Sequence, residues 1–501
     1  LSRFLFGGPG RTSIRAGWGM FYDLFGQPLA QTYSASALGV STSLSNPPNI
    51  LTPATVPRFT GFYNIPGSVL PAAPPAKFPV AAPDLFAITN SIDDTLKAPY
   101  TMNMDFSIGR EFGHGFYVQG AYVGRLSRRS LINQDMAMPT NLVDPKSGQT
   151  YFQAAQAVTR LALAKVPVAN VPAVPFWEDI FPGLARNGLT ASQVAFQQYA
   201  ATCPDCTGAL QSLDQLCRPS CSIYGPYAMF NSQYSALSTW SSVGKGTYHS
   251  MQWTVRKRFS EGLLLDFNFT YGKSLDLASS VENSASFTGL IQNAWDRRQQ
   301  WAPSNYDSTF IANAFAVWQV PVGHGRRFLP HTNRVLDAFV GGWEIAPTLQ
   351  RSSGRPVSVG NCRCWPTDWN VTPNANALGP VTTSPTKNAP TITGTPGPNL
   401  FADPKVALAM YTNPLPGESG QRNVLRNMGP FSMNLVVAKE FRLYTIHDHP
   451  HSLQFRWESF NVTNTVRFTT LSLDLGNSGT FGKYSADAGP RQMEFALRYR
   501  F

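Results

Sequence analysis

Apolar and polar residues alternate with period two over long stretches of this sequence, the pattern of a strand with one apolar and one polar face. Between Tyr100 and Gly109 one face carries Tyr100, Met102, Met104, Phe106 and Ile108; the other carries Thr101, Asn103, Asp105, Ser107 and Gly109. The last eleven residues repeat it, with Met493, Phe495, Leu497, Tyr499 and Phe501 against Gln492, Glu494, Arg498 and Arg500. Leu263, Leu265, Phe267, Phe269 and Tyr271 oppose Asp266, Asn268 and Thr270; Met251, Trp253 and Val255 oppose Gln252, Thr254 and Arg256. Leu453, Phe455 and Trp457 oppose Gln454, Arg456 and Glu458, and Phe431, Met433, Leu435 and Val437 oppose Ser432, Asn434 and Glu440. Weaker runs lie at 11–22 (Ile14, Ala16, Trp18, Met20, Tyr22), 115–126, 308–320 and 339–351. The reading is ten strands.

Strand length separates two architectures. These runs last about nine to eleven residues, the length a tilted strand needs to cross a bilayer, whereas soluble strands peak near five or six. Aromatic residues gather near the run ends, as interfacial girdles require. The intervals between runs are 23–99, 112–114, 127–246, 260–262, 274–307, 321–338, 361–428, 442–450 and 463–490, so long and short alternate. Outer-membrane barrels alternate in this way because their periplasmic turns are short and their extracellular loops long. The expected fold is therefore all-β, a transmembrane antiparallel barrel with long extracellular loops, the short connections lying in the periplasm. A soluble β-array is the competing architecture. Residues 46–83 and 379–398, rich in Pro, Ser, Thr and Asn, read as solvated loop with no need to pack, and Ala191–Tyr199 as a short helix.

Composition narrows the classes further. Of 501 residues only 14% are charged, with hydrophobic residues at 43% and aromatics at 12%, which excludes a disordered charged tail. Forty glycines and forty prolines argue against a helical bundle. No run of about eighteen apolar residues occurs, so a helical membrane span is excluded. The formal charge is +11, yet the basic residues are scattered. Arg125, Arg128 and Arg129 form the one dense cluster, where a strand leaves the outer leaflet. Anionic lipopolysaccharide is the expected partner there, not nucleic acid. The chain opens at Leu1 without a signal peptide and reads as part of a larger barrel, with further strands expected ahead of it.

The candidate chemistry is sparse. Cys203-x2-Cys206 and Cys217-x3-Cys221 approach zinc-site spacing, but all four fall in one predicted extracellular loop, and Cys362 and Cys364 in another. An oxidising compartment and an even count favour disulfides, with pairing left open. His447-Asp448-His449-Pro450-His451 has the residues of a metal cluster, but in the predicted topology it is a turn built from turn-forming residues. Tyr271-Gly272-Lys273-Ser274 ends like a phosphate-binding loop, but that motif needs glycine where Phe267 stands. Asp205 and Asp214 read as ordinary loop acids. No G-x-S-x-G, H-E-x-x-H or C-x-x-C-H occurs, so neither an enzyme nor a cofactor is expected. Arg15, Asp105, Asp266, Arg256, Arg456, Glu458, Arg498 and Arg500 read as a wet inner wall, or as contacts for a plug domain or a passing substrate.

Six segments resemble the TonB-dependent receptors, and within them the large Oar-like group: Arg11–Asp23 (RTSIRAGWGMFYD), Arg256–Asp276 (RKRFSEGLLLDFNFTYGKSLD), Gly341–Val359 (GGWEIAPTLQRSSGRPVSV), Arg426–Leu443, Leu453–Asn464 (LQFRWESFNVTN) and Phe481–Phe501 (FGKYSADAGPRQMEFALRYRF). At Asp307 the chain departs, with Ser308-Thr309 where a basic pair usually follows. The resemblance implies a barrel of about twenty-two strands around an N-terminal plug that couples to the TonB complex and drives import. These residues contain no plug, no TonB-contacting segment and no signal peptide, so the chain reads as the C-terminal barrel portion. Met493, Phe495, Leu497, Tyr499 and Phe501 then resemble the signal read by the barrel assembly machinery.

Two functions from different classes follow as expectations. One is a receptor that binds a glycan, peptide or metal chelate at its loops for energy-coupled import. The other is a structural or adhesive outer-membrane barrel without transport. A soluble, aromatic-rich carbohydrate-binding protein is the third.

Overall fold

The computed structural model describes residues 11–24, 88–202, 208–217, 221–225, 228–230, 236–279, 291–360, 366–368, 371–390, 392–394, 396–446 and 449–501. Ten long strands form one antiparallel sheet in sequence order: β1 (Thr12–Tyr22), β2 (Tyr100–Glu111), β3 (Phe116–Asp135), β4 (Ala236–Ser260), β5 (Leu263–Asp276), β6 (Phe310–Gln319), β7 (Trp343–Ser352), β8 (Phe431–Ile446), β9 (His449–Phe460) and β10 (Gln492–Arg500). Each alternating run of the sequence is one of these strands. Two short segments join off this path, Ile88–Ile92 parallel to β4 and Ala302–Pro303 beside β5. β1 and β10 end the order, each paired on one side among the described residues.

The register keeps the alternating apolar set on one face, while Val123, Phe315 and Val436 fall on the other, opposite Asp105, Asp266 and Glu458. Ile14 lies opposite Ile108, Trp18 opposite Met104 and Tyr22 opposite Tyr100. Further along, Tyr122 pairs with Phe106 and Met251, Trp253 with Phe269, Leu349 with Met433, and Trp457 with Phe495. A slip of one residue in any strand would move its whole apolar set to the other face. Gly120 serves this face by being small: a Cβ there would stand 3.1 Å from the Trp253 ring. The band is uncovered by protein, with Trp18 66%, Phe495 69% and Leu497 69% exposed. Leaving such side chains in water forgoes roughly 1.5–3 kcal/mol each, which a lipid environment restores. A soluble sandwich would have covered them.

The packed cores lie in the loops instead. The β3–β4 connection holds α1 (Tyr151–Leu163), α2 (Pro175–Ile180), α3 (Ala191–Thr202) and α4 (Ala209–Cys217). Thr150 starts α1 with a capping box, its hydroxyl accepting the Gln153 N–H while the Gln153 side chain accepts the Thr150 N–H. Tyr151, Phe176, Trp177 and Phe181 are fully buried between these helices. Phe176 and Trp177 meet edge-on at 5.2 Å, and the Tyr151 and Tyr199 hydroxyls lie 3.0 Å apart. Truncating Trp177 to alanine would cost about 3–5 kcal/mol and empty this body. A second core joins the β7–β8 and β9–β10 connections through Val359, Leu400, Phe401, Tyr411, Phe481 and Tyr484. There Phe401 and Phe481 stack at 5.6 Å.

Four expectations change. The β3–β4 hairpin does not open at 127 but runs to Asp135 and resumes at Ala236. Its outer part is polar, so the apolar period stops while the backbone ladder and side-chain bonds such as Ser238 to Asn133 (2.8 Å) continue. The loop helix Ala191–Tyr199 exists, as Ala191–Thr202, but it is one of four with a common core. Residues 379–398 are not merely solvated: Thr386–Ala389 pairs with Gly397–Asn399, and Ala389 is buried. The turn placed at 442–450 contracts, because β8 reaches Ile446 and β9 begins at His449. Residues 46–83 lie outside the described residues.

Candidate ligand cavity under the loops

The polar face of the sheet is largely satisfied within itself. Arg256 Nε donates to Asp266 Oδ2 at 2.7 Å across β4 and β5. Arg456 pairs with Glu458 two residues on, and Arg500 reaches Gln454 at 3.2 Å. Arg15 lies opposite Ser107, Asp105 opposite Gly17, and Arg498 opposite Gln454. These residues line a wall, and none of the three pairs draws on a loop.

Toward the long-connection end the same face forms a cavity of about 540 Å³, lined by Arg125, Tyr248, Gln252, Thr270, Tyr306 and Asp307 among others. Strand register places the liners. Arg125 is directly opposite Tyr248, Gln252 opposite Thr270, and Thr270 opposite Ile311. The Arg125 guanidinium is exposed, with no hydrogen-bond or ion-pair partner among the described residues. Asp307 is fixed: its buried carboxylate accepts the Ser274 N–H at 2.6 Å and is capped by the Arg426 guanidinium. The charge on Asp307 is thus neutralised by an arginine 119 residues further along the chain.

Loops roof this end of the sheet. Arg422 donates to Asp276 with both side chains buried, 9% and 8% exposed, so neither charge has water to fall back on. Asn423 Nδ2 donates to Pro303 O (2.6 Å) and Asn305 Oδ1 (2.8 Å). Gln299 and Asn293 donate to Gly417 O, and Gln156 of α1 to Pro416 O at 2.8 Å. Gly417 sits at φ +83°, where a Cβ would stand 2.8 Å from Phe152, so only glycine lets the β7–β8 loop lie against the helical body. In the second core the Tyr411 hydroxyl has no hydrogen-bond partner among the described residues, and burial pushes its pKa up to about 12.

A cavity with an unpaired guanidinium, two phenols and a carboxamide offers charge-assisted and neutral donors on an aromatic base. It suits a polar, hydroxyl- or carboxylate-bearing ligand and carries no nucleophile–base pair. Among the described residues no group of three His, Cys, Asp or Glu could hold a metal ion. His451 instead packs on Tyr444, Tyr499 and Phe501, its Nδ1 2.5 Å from the Tyr499 hydroxyl. His447 and Asp448 lie outside the described residues.

The structure joins Cys217 to Cys221 in a disulfide at the end of α4, Cα atoms 4.8 Å apart. Cys203, Cys206, Cys362 and Cys364 lie outside the described residues. Met493, Phe495, Leu497 and Tyr499 all point from the outermost strand to the apolar face, followed by Phe501, 86% exposed. The arginine cluster does not act as one patch. Arg125 points into the cavity, whereas Arg128 is on the apolar face and Arg129 stacks over Tyr100 at 5.4 Å. Tyr248, Tyr306, Arg422 and Arg426 were not legible as functional residues, since strand register gives Tyr248 its neighbours and the folded loops give the other three theirs.

A family described as outer membrane beta barrel domain matches residues 4–494. No curated protein matches. The outer membrane transporter YddB from Escherichia coli is similar at 10% identity, covering 82% of this chain and 34% of that one, with a TM-score of 0.34. The FrpB iron transporter from Neisseria meningitidis is similar at 9% identity over 82% and 32% of the two chains, TM-score 0.30. A mutant of the ferric enterobactin receptor PfeA from Pseudomonas aeruginosa is similar at 10% identity over 81% and 32%, TM-score 0.29. The chain spans about a third of the length of each.

Proposed function

The chain belongs to the outer-membrane β-barrel domain family, resides in the outer membrane of a Gram-negative-type envelope, and from that premise we propose that it is the barrel portion of a TonB-dependent receptor. The loop end faces outward, a ligand enters beneath the roofed loops, and Arg125 with Tyr248 and Tyr306 receives it. Import is driven by the TonB complex acting through a plug domain, and the ligand is a glycan, a peptide or a metal chelate. What carries the reading is the cavity itself: a fixed, polar pocket on the water-facing side of a membrane sheet, with one guanidinium left unpaired. Among the described residues β1 and β10 each have one edge without a partner, which supports a larger closed barrel, since an open edge in lipid leaves backbone groups unsatisfied.

The alternative, a structural or adhesive barrel, draws on the helical body with its own core, a feature suited to contact with another surface. Uptake separates the two. Cells bearing the receptor should accumulate its ligand, and a protonophore should leave surface binding intact while abolishing accumulation. Binding that is indifferent to the protonophore, with no accumulation in either case, would favour adhesion. Orientation is tested separately: a tag at the exposed turn residue Gly188 should be labelled on intact cells and one at Gly262 should not.

A further inference from the structure

On the apolar face, no strand presents an Asp or Glu. Reading the register from Ile14 through Tyr499, every acid of the ten strands falls on the polar side, as Asp105, Asp266, Glu344, Glu440, Glu458 and Glu494 do. Basic groups on this face stand near both ends of the strands: Arg110, Lys257 and Lys439 at the short-turn end, Arg351 at the loop end of β7, and Arg128, Lys245 and Lys273 together at the loop end of β3, β4 and β5. Arg128 lies directly opposite Lys245, two cations in one register position, and Lys273 stands on the neighbouring strand, opposite His249. Like charges in direct cross-strand register destabilise a sheet. No acid on this face of the strands neutralises them.

The surroundings are shaped for more than water. Tyr122, Met251 and Tyr271 line a groove of about 370 Å³ that also reaches His249 and Lys273. The Tyr122 hydroxyl meets His249 Nδ1 at 2.7 Å, which holds the imidazole at the groove's upper end. Lys245 lies over the Trp301 ring at 5.0 Å, and Arg128 Nη1 reaches the carbonyls of Ser127 and Gly246. The Lys273 ammonium has no partner among the described residues. Cations above, phenols at the boundary and an apolar channel below follow the order of a lipid's phosphate, glycerol or sugar level, and acyl chains.

The geometry points to a binding site for a phosphorylated lipid of the outer leaflet, its phosphate groups held by Lys245, Lys273 and Arg128 and an acyl chain lying in the groove between Tyr122 and Tyr271. Charge complementarity commits the occupant, because an acid-free face that gathers Arg128, Lys245 and Lys273 matches an anionic headgroup and repels none of it. The site lies on the outside of the sheet and is separate from the Arg125 cavity. It rests on the loop end facing outward, which the Gly188 label tests independently.

The full chain in detergent is titrated with bis-phosphorylated lipid A, and with the same lipid after phosphatase treatment. The Lys245→Gln/Lys273→Gln double variant, checked for folding by heat-modifiable mobility, should bind the phosphorylated lipid about twentyfold more weakly. Lys245→Arg/Lys273→Arg should restore binding, and the dephosphorylated lipid should bind the unaltered chain as weakly as the double variant binds the intact one. Equal binding of both lipids to the unaltered chain overturns the site even if the variant fails to fold. Displacement by an equal concentration of inorganic phosphate overturns the lipid as occupant.

Discussion

Arg422 of the β7–β8 loop closes on Asp276 at the end of β5, an ion pair that joins residues 146 apart in sequence and is sealed from water on both sides. Removing one partner leaves a buried charge uncompensated, at a cost of about 3–5 kcal/mol. Asp276→Asn should therefore release the roof locally without unfolding the sheet. Limited proteolysis should cut within residues 353–430 much faster, with heat-modifiable mobility unchanged. Replacing both residues, as Asp276→Leu/Arg422→Met, should recover most of the protection. Unchanged cleavage in the single variant would show that the pair does not hold the loop.

Tyr411 links the loop core to pH. Its folded pKa, raised to about 12 by burial, exceeds the roughly 10 of a free phenol. The preference for the neutral hydroxyl thus contributes fully below pH 10 and is lost as pH rises toward 12. Absorbance of ionised tyrosine should show this phenol titrating late, with the loop core loosening in that window. Tyr411→Phe removes a buried hydroxyl without a partner, so it should stabilise the core by about 1 kcal/mol and delay its alkaline loosening. Earlier loosening in the variant would contradict the burial argument.

For the cysteines, we propose that Cys203 and Cys206, like Cys217 and Cys221, are oxidised and hold no zinc. Protein purified without reductant should be lighter by one pair of hydrogens per bridge and should take up no alkylating agent at these positions. Cys217→Ser with Cys221→Ser should cost the helical body about 2 kcal/mol, as expected for so short a closed loop. Four alkylatable thiols in the native protein would refute the proposal.

Phe501 stacks on Tyr499 at 5.8 Å and on His451 at 6.4 Å. As packing alone, its loss removes roughly 1.5–3 kcal/mol of apolar contact, which a folded barrel can absorb. As the end of an assembly signal with Met493, Phe495, Leu497 and Tyr499, its deletion should sharply reduce insertion into the outer membrane. Phe501→Tyr should insert normally and Phe501→Asp should not. A deletion variant at normal surface level would leave only the packing role.

The sheet was legible because period-two alternation is a local signal, repeated from Ile14 to Tyr499 and enforced by lipid on one face. The loops were not. Arg422 and Asp276, or Arg426 and Asp307, have no shared pattern in sequence, and their meaning comes from a fold that brings them together. Of the helical body only Ala191–Tyr199 could be read, since Phe176, Trp177 and Phe181 sit in short Pro-bounded turns with no sustained period. The polar outer half of the β3–β4 hairpin escaped for the opposite reason: its ladder needs no apolar alternation. Arg125 was visible as a basic residue, but its separation from Arg128 and Arg129 by face required the register.

Ligand binding at the cavity is tested most directly with Arg125→Ala. The purified full chain and this variant are screened by thermal shift against oligosaccharides, short peptides and ferric chelates. One class should raise the melting temperature of the unaltered chain, and Arg125→Ala should lose that shift while keeping its own melting temperature within a few degrees, because its exposed guanidinium supports no other group. A ligand that stabilises both proteins equally, or no stabilisation by any class, would contradict a binding site under the loops.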